Sequence, residues 1–415
     1  MKLLKNISSL VTVNANGDLY KIKEKMNEIG EIKNASLLFS DKIEWIGNSN
    51  QINKIILKYN LNDSDIIDAS NKTIMPGFVD SHSHIVFAGN RTNEFARRLR
   101  GATYQEIAEE GGGIQTTVKA TRAASIEELY ENGKKLALSA IKYGTTAIEI
   151  KSGYSLTLEG ELNQLRAIKL LSEELPIDIT STFLGAHDFP IEYKNNHSKY
   201  IDIICNEMIP QIAEEGLAKY CDAFIDKGYY TIEEGRKVLE CGLKHGLKSK
   251  IHCDELADVS ATKLAAELGA ISADHLLCVS NENIKAIAES GTVAGLLPGT
   301  AYFIRMPYAP ARKIINEGVI TAIATDCNPG SSFTENMQTI LSLSVINMGM
   351  TAEEAIVAST LNAAHSIEKS NRMGSLELGK DANFIILDTP NYSDLFYHFG
   401  INHVEETWIF GKKIK

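Results

Sequence analysis

Residues 74–84, with the sequence IMPGFVDSHSH, decide the fold, because an apolar run typical of a β-strand ends here in a His-x-His pair. Alternate side chains of a strand point to the same side, so the imidazoles of His82 and His84 can share one metal ion. Two histidines at this spacing also occur by chance or inside a core. The rest of the chain must therefore supply further ligands, a base and a pocket.

Beyond this strand, apolar segments alternate with longer helical patterns. Seven further strands are predicted at residues 145–150, 177–184, 221–225, 247–252, 271–275, 292–297 and 320–326, with a helix over residues 157–175. Together with the strand that ends at His84 they make eight, the number that a (β/α)8 TIM-type barrel requires. A doubly wound open sheet is the alternative, and the eight repeats favour the barrel.

The two ends of the chain show a different pattern of short strands and turns. Strands are predicted at residues 10–13, 35–39 and 42–47, and again at residues 383–387 and 406–411. We therefore predict an α/β protein in two parts. Residues 76–374 form the barrel, and residues 1–75 with 375–415 form a small β-sandwich-like domain.

Composition limits the possible functions. The 415 residues are 23% charged and 44% hydrophobic, as in ordinary globular proteins. The formal net charge of −11 leaves no basic surface for nucleic acid, so an anionic substrate would need locally placed cations. No apolar run is long enough to predict a membrane span, and the N-terminal segment does not resemble a signal peptide. The six cysteines lack Cys-x-x-Cys spacing, which favours the reducing cytoplasm over a disulfide framework or zinc ribbon.

In a barrel the active groups lie at the carboxyl ends of the strands. The polar residues at these ends are His82 and His84 on the first strand, His187 after the third, His252 on the fifth, His275 on the sixth and Asp326 on the eighth. Imidazoles at so many equivalent positions indicate a shared site. The remaining histidines are interpreted as solvated or structural: His197, His245, His365, His398 and His403.

The chain resembles the amidohydrolase superfamily in five features that follow one another in order: residues 76–84, His252, His275, Asp326 and residues 374–383. Asn383 stands where the last motif usually has Asp, far from any chemistry. Within the superfamily the chain resembles the imidazolonepropionase family in residues 87–91, 111–114, 149–154, 183–187, 254–255 and 325–331. The resemblance covers nearly the whole chain. It implies hydrolytic opening of 4-imidazolone-5-propanoate to N-formimidoyl-L-glutamate, the third step of histidine degradation.

The resemblance also implies the metal centre. His82, His84, His252 and Asp326 would bind one Zn²⁺ or Fe²⁺/Fe³⁺ ion per chain and leave a position for water. Such an ion lowers the pKa of its water to about 7, and the resulting hydroxide would attack the lactam carbonyl. Asp326 would pass the proton to the leaving ring nitrogen, or it could be a ligand only.

Two more catalytic residues follow from the resemblance. His275 would hydrogen-bond the water or polarise the carbonyl, and Glu255 would contact a ring nitrogen or assist proton transfer. A purely supporting role for Glu255 is the alternative.

Lys151 raises the possibility of a carboxylated lysine that bridges two metals. It lies on the second predicted strand, whereas the bridging lysine of binuclear relatives lies on the fourth. The fourth strand has no lysine before Lys227, which falls in the following turn. One metal per chain is therefore expected.

The propionate of the substrate requires a cation. Arg91 lies seven residues beyond His84 in the first βα loop, and its fork matches a carboxylate, although it could be a surface arginine like Arg97, Arg98 and Arg100. By resemblance, Tyr154 and His187 would contact the ring or the carboxylate, Glu255 the ring, and Asn328, Gly330 and Ser331 would bind through side-chain and backbone groups. The glycines at residues 111–113 lack the Gly-Lys-Ser/Thr of a phosphate loop and are expected to form a flexible segment at the pocket mouth.

Two other functions compete with this hypothesis. A purine or pyrimidine deaminase would use the same histidines and aspartate, but Arg91, Tyr154 and His187 favour a small anionic ring. A non-catalytic relative would have lost ligands, and here all are present. The expected partners are the small anionic substrate and a second copy of the chain in a homodimer, without nucleic acid or membrane.

Overall fold

The computed structural model describes residues 1–102, 106 and 112–415. Its strands are β1 (Lys2–Val11), β2 (Glu31–Phe39), β3 (Ile43–Asn48), β4 (Ile66–Asp68), β5 (Thr73–Pro76), β6 (Phe78–Ser83), β7 (Thr145–Lys151), β8 (Asp178–Ala186), β9 (Tyr220–Ile225), β10 (Lys248–Cys253), β11 (Ser272–His275), β12 (Val293–Leu296), β13 (Thr321–Ile323), β14 (Phe384–Leu387), β15 (Val404–Ile409) and β16 (Lys412–Lys413).

The α-helices cover Ile52–Tyr59, Thr92–Leu99, Ile114–Ala123, Ile126–Lys142, Leu158–Glu174, His197–Ile203, Ile209–Glu215, Ile232–Lys244, Ala261–Glu267, Asn281–Ser290, Pro298–Ile304, Ala311–Glu317, Met337–Met348, Ala352–Ser359, Leu361–His365 and Asp394–Tyr397. Shorter turns of 3-10 helix cover Lys23–Asn27, Ser49–Gln51, Asp63–Asp65 and Ile191–Tyr193, and Ile204–Met208 is a π-helical turn. No helix of the described residues has the length and apolarity needed to cross a membrane.

Strands β6 to β13 form a parallel sheet in chain order. The chain beyond β13 returns to β6, where the Asp326 amide donates to the His82 carbonyl (3.0 Å) and the His84 amide donates to the Cys327 carbonyl (2.9 Å). β6, β7 and β9 are buried at every position, because one face of a barrel strand packs on helices and the other fills the interior. The predicted TIM-type barrel is confirmed.

The chain ends form one mixed sheet in the order β16-β15-β14-β5-β1-β2-β3, with β4 also beside β1. Phe39 on β2 and Phe384 on β14 lie three strand spacings apart along this sheet, about 14 Å if it were flat. Their ring centroids are nevertheless 4.9 Å apart, and Trp408 stacks on Phe384. The sheet therefore curls over an aromatic core, as the sandwich-like prediction from both termini requires.

The barrel and the terminal sheet meet at Gly77, between β5 and β6. A Cβ here would lie 2.2 Å from Cγ2 of Thr146 on β7, so only glycine lets the backbone pass so close to the Thr146 side chain. The chain thus passes directly from the terminal sheet into the strand that carries His82. The exact division between the two domains stays a prediction.

Candidate active site

Four side chains converge at the carboxyl end of the barrel. Nε2 of His82 lies 3.1 Å from Nε2 of His252 and 3.3 Å from Nε2 of His84. Oδ1 of Asp326 lies 3.6 Å from Nε2 of His82 and 3.4 Å from Nε2 of His84. Ligands bound tetrahedrally at the usual distances from zinc are about 3.3 Å apart. His82, His84 and His252 form one possible metal-binding group, and Asp326 forms a second with His82 and His275, so the two groups share His82.

The orientation of His82 supports the same interpretation. Its Nδ1 lies 2.8 Å from Oδ2 of the buried Asp274, so the proton sits between them and Nε2 presents a lone pair. Burial, followed by the cationic Lys151, lowers the pKa of His82 well below its ordinary value. A neutral imidazole with a fixed lone pair is the state in which histidine binds a metal.

His252 is oriented by a second buried carboxylate. Its Nδ1 lies 3.1 Å from Oδ2 of Asp222. Burial would raise the pKa of Asp222, but His252 and Lys151 outweigh burial and hold it well below the usual range. Nε2 of His82 and Nε2 of His252 thus face each other across 3.1 Å, an arrangement that a shared cation stabilises.

The buried charges around these ligands favour a divalent ion. The buried acidic groups include Asp80, Glu149, Asp222, Asp274 and Asp326, and they outnumber the buried ammonium groups of Lys151 and Lys250. A bound cation stabilises such an excess of buried acidic groups, and a donor set of imidazole nitrogens with a carboxylate suits zinc or ferrous iron.

Asp326 is held in a sparsely populated backbone conformation, with φ +49°. Its Oδ2 accepts a hydrogen bond from the hydroxyl of Thr300, so Oδ1 is the oxygen that faces the histidines. His275, at the end of β11, also has a positive φ of +79°. Strained conformations of non-glycine residues cluster at functional sites, where the surrounding structure holds them.

His275 and Glu255 form a pair beside this centre. Nδ1 of His275 lies 3.6 Å from Oε2 of Glu255. Burial lowers the pKa of His275 to about 3 and, together with the charge of Asp326, raises the pKa of Glu255 well above its ordinary value. Burial thus favours an uncharged His275 imidazole and a protonated Glu255 carboxyl group, which can donate a hydrogen bond.

Arg91 is nearly buried, with 9% of its surface exposed. Its Nε donates to the hydroxyl of Thr117, 2.9 Å away, on the helix Ile114–Ala123. A Cβ at Gly330 would lie 2.2 Å from Nη1 of Arg91, so the guanidinium packs directly against the Gly330 backbone. Arg91 is therefore a buried side chain of the cleft and not a surface arginine.

The loop that carries Gly330 is organised by Asn328. Oδ1 of Asn328 accepts hydrogen bonds from the amides of Gly330 and Ser331, both at 2.8 Å. Its Nδ2 donates to the Asp326 carbonyl at 2.7 Å and to Oγ of Ser331 at 2.9 Å. Asn328 thus connects two parts of the site: the Gly330 loop, which packs against Arg91, and Asp326, which faces the histidines.

Tyr154 and His187 form an aromatic wall next to His84. The His187 ring stacks on the His84 ring with centroids 5.4 Å apart, and the Tyr154 ring lies 5.1 Å from that of His187. The backbone that carries Tyr154 is fixed by the buried Glu161, which accepts hydrogen bonds from the amides of Gly153 and Ser155. A flat ring would fit against this wall.

One cleft of about 1340 Å³ connects these groups. It is lined by His84, Arg91, Tyr154, His187, His252, Glu255, His275, Asp326, Asn328, Gly330 and Ser331. Every site residue predicted from the sequence lies on this cleft except His82, which lies beneath it against His84 and His252.

Sequence reasoning missed the groups that support the site. Asp222 and Asp274 orient two of the histidines, Asp226 accepts the backbone amides of residues 255–257, and Thr300 bonds Asp326. Asp222 and Asp274 are charged residues within buried barrel strands, and that is the signal that could have revealed them.

Lys151 contacts two carboxylates and belongs to neither of the possible metal-binding groups among the described residues. Lys227 is exposed at the rim of the cleft. Gly112 and Gly113 also line the cleft, as expected for the glycine-rich segment, but Gly111 lies outside the described residues.

The chain is similar to known proteins along its whole length. A family model described as "Amidohydrolase family" matches residues 213–414. An imidazolonepropionase of Geobacillus sp. (strain WCH70) is 46% identical over 403 residues, which cover 97% of this chain and 95% of that protein. One of Clostridium tetani (strain Massachusetts / E88) is 44% identical over 403 residues, with the same coverage.

Solved structures show the same fold at low identity. An adenosine deaminase from Xanthomonas campestris with bound zinc superposes with a TM-score of 0.71 at 16% identity, covering 99% of this chain and 92% of that one. A 5-methylcytosine deaminase from Klebsiella pneumoniae, liganded with phosphonocytosine, has a TM-score of 0.72 at 16% identity, covering 100% and 98%.

Proposed function

This chain belongs to the imidazolonepropionase family of the amidohydrolases, and we propose that it opens the ring of 4-imidazolone-5-propanoate by hydrolysis to give N-formimidoyl-L-glutamate. It is a cyclic amide hydrolase of histidine degradation that acts on a small molecule at a metal site. Water adds to the lactam carbonyl carbon, the bond from that carbon to the ring nitrogen breaks, and the nitrogen takes a proton.

The observation that carries this proposal is a single cleft lined by both the metal ligands and Arg91. A purine or pyrimidine base has no carboxylate for a guanidinium to bind. The substrate proposed here has a reactive lactam at one end and a propionate at the other. The pairing of groups in the cleft therefore favours it over the deaminase alternative.

We propose one zinc or iron ion per chain, held by His82, His84, His252 and Asp326. When bound, it supplies a Lewis acid and lowers the pKa of water to about 7. Nε2 of the three histidines and Oδ1 of Asp326 would hold it, because Nε2 of His82 lies 3.1 to 3.6 Å from each of the other three atoms and Oδ1 of Asp326 also lies 3.4 Å from Nε2 of His84.

Asp326 would carry the proton. Its Oδ2 accepts a hydrogen bond from the hydroxyl of Thr300, which fixes the carboxylate with Oδ1 toward the histidines. The carboxylate would take the proton of the attacking water and deliver it to the ring nitrogen as the carbon–nitrogen bond breaks.

His275 and Glu255 would act on the substrate in the forms that burial favours. The neutral His275 would hydrogen-bond the attacking water or the carbonyl. In its protonated form Glu255 would donate a hydrogen bond to a ring nitrogen, which an ionised carboxylate could not do.

The remaining cleft residues would bind the substrate. With Nε of Arg91 bonded to Thr117, its two terminal nitrogens remain for the propionate, beside the Gly330 backbone and Ser331. Tyr154 and His187 would hold the ring, and Asn328 would keep the loop in place. Binding at both ends fixes the carbonyl relative to the attacking water.

The direct test is to incubate the purified protein with enzymatically generated imidazolone propionate and to follow its ultraviolet absorbance. The expected result is loss of the substrate with formation of N-formimidoyl-L-glutamate, identified by mass spectrometry. Cytosine, adenine and guanine serve as controls. Ammonia release from any of these bases without turnover of the imidazolone would overturn the proposal in favour of a deaminase.

We also propose that the chain acts as a homodimer in the cytoplasm. Tyr397 and Phe399 are 88% and 66% exposed on one short segment, which a second copy could cover. All six cysteines are free, as in a reducing compartment. Light scattering coupled to gel filtration should give a mass of about two chains, and a single-chain mass would contradict the dimer.

A further inference from the structure

Lys151, at the end of β7, is a fully buried lysine that the proposed reaction does not use. Its Nζ lies 2.9 Å from Oε1 of Glu149 and 2.9 Å from Oδ2 of Asp222. It is 0% exposed and does not line the cleft, so it cannot contact the substrate. A buried ammonium group is costly unless it is paired, so its position calls for a reason.

The contact with Asp222 leads directly to a metal ligand. The oxygen that Lys151 contacts, Oδ2 of Asp222, is also the oxygen 3.1 Å from Nδ1 of His252. The carboxylate is therefore held between an ammonium group and an imidazole.

The other contact of Lys151 anchors it in the barrel. Oε1 of Glu149 also accepts a hydrogen bond from the hydroxyl of Thr182 on β8. The resulting network joins β7, β8, β9 and β10, which are neighbours in the barrel. Lys151 is thus fixed on one side by the frame of the barrel and on the other by the carboxylate that orients His252.

We propose that Lys151 is a positioning residue that fixes Asp222 against His252 and thereby sets the affinity of the site for its metal ion. This inference rests on the metal site proposed above. A lysine that served only the core would change folding stability, but its effect on metal affinity would not depend on Asp222.

The test measures zinc affinity of the full chain by competition with a chromogenic chelator, in wild type, Lys151→Met, Asp222→Asn and the double variant. Loss of a group that orients a metal ligand typically lowers affinity about 10–100-fold. Each single variant should show a loss of that order. The double variant should bind zinc about as well as Asp222→Asn alone, because Lys151 acts through Asp222.

Lys250→Met is the matched control. Lys250 is equally buried, on β10, but its Nζ donates to the Ser81 carbonyl, 3.1 Å away, and lies farther from Oε1 of Glu149, at 4.0 Å. If Lys250→Met lowers the zinc affinity, its loss should add to the loss caused by Asp222→Asn. Additive losses for Lys151→Met and Asp222→Asn, or a zinc affinity of Lys151→Met within about twofold of wild type, would overturn the proposal.

A second variant guards against a failure to fold. Removing Lys151 alone leaves Glu149 buried without its partner, whereas Glu149→Gln with Lys151→Met removes both charges and is better tolerated. Far-ultraviolet circular dichroism should show a wild-type spectrum for this pair. Its zinc affinity should still fall about 10–100-fold, and an unchanged affinity would refute the proposal. Failure of wild type itself to bind zinc would instead refute the zinc site.

Discussion

The two ends of the cleft are built differently. At the end proposed to bind the metal, here the metal end, His82 and His252 project from barrel strands and lie against the buried carboxylates of Asp274 and Asp222. At the end proposed to bind the substrate carboxylate, here the carboxylate end, Arg91 lies in a loop region and donates to a neutral hydroxyl. The loop of residues 328–331 is held there by the amide side chain of Asn328.

This difference should govern how each end responds to change. Removing one partner of a buried charged pair leaves the other charge uncompensated, which is strongly destabilising. Losing one neutral hydrogen bond costs only about 0.5–1.5 kcal/mol. We therefore expect large, nearly all-or-none effects at the metal end and graded effects at the carboxylate end.

The largest effect is expected for His252→Ala. The change removes one of the three proposed nitrogen ligands and leaves Asp222 without its imidazole partner. Metal content should fall from about one ion per chain to a small fraction, and activity should be lost with it. Elemental analysis and the ultraviolet assay measure both. Two ions per wild-type chain would contradict the mononuclear site, and unchanged metal in the variant would remove His252 from the ligands.

Asp326→Asn should lower kcat about 10²–10⁴-fold, the usual contribution of a general acid–base residue, with little change in KM. An amide cannot accept the proton even where it still approaches the metal. Thr300→Val is the matched control, because it removes the hydroxyl bonded to Oδ2 but keeps the carboxylate. Thr300→Val should lower kcat far less than Asp326→Asn does. If Asp326→Asn retains the metal and loses less than about tenfold, another group, such as His275, is the base.

The same contrast explains what the sequence could predict. Each predicted barrel strand overlaps an observed one, as residues 271–275 do with Ser272–His275, because buried strands are apolar runs separated by helices. The metal end could be predicted because a barrel gathers its strand ends. His82, His252 and Asp326 are far apart in the chain but share those ends.

The supporting contacts could not be predicted in this way. Asp222 and Asp274 are single charges in apolar strands, and which histidine each one orients depends on how neighbouring strands align. Arg91 lies just before the helix Thr92–Leu99 and Thr117 lies on the helix Ile114–Ala123, and no sequence periodicity relates the two side chains that form this hydrogen bond. Family resemblance pointed to Arg91 but gave no indication of the hydroxyl that orients it.

Arg91→Ala tests the carboxylate end directly. Metal content should be unchanged, while kcat/KM should fall by about 2–4 kcal/mol, roughly 30- to 1000-fold. Arg91→Lys should restore only part of the lost kcat/KM, because an ammonium group cannot form two parallel hydrogen bonds with the carboxylate. A substrate analogue without the carboxylate should have a low kcat/KM with the wild-type enzyme. Its kcat/KM should fall little further with Arg91→Ala. Equal losses with both substrates would show that Arg91 is structural.

The smallest effect is expected for Thr117→Val, which keeps the shape of the side chain but removes the hydroxyl that accepts from Nε of Arg91. The guanidinium keeps its charge and its contact with the Gly330 backbone, so only its orientation loosens. A neutral hydrogen bond contributes about 0.5–1.5 kcal/mol, so kcat/KM should fall roughly two- to tenfold. The loss should vanish in an Arg91→Ala background, because Thr117 acts through Arg91.

Thr121→Val is the control on the same helix, since the Thr121 hydroxyl accepts from the Ala88 amide and not from Arg91. Its effect should persist when Arg91 is absent. A loss of 100-fold or more for Thr117→Val would show that the carboxylate end is as rigid as the metal end, and the contrast between them would fail.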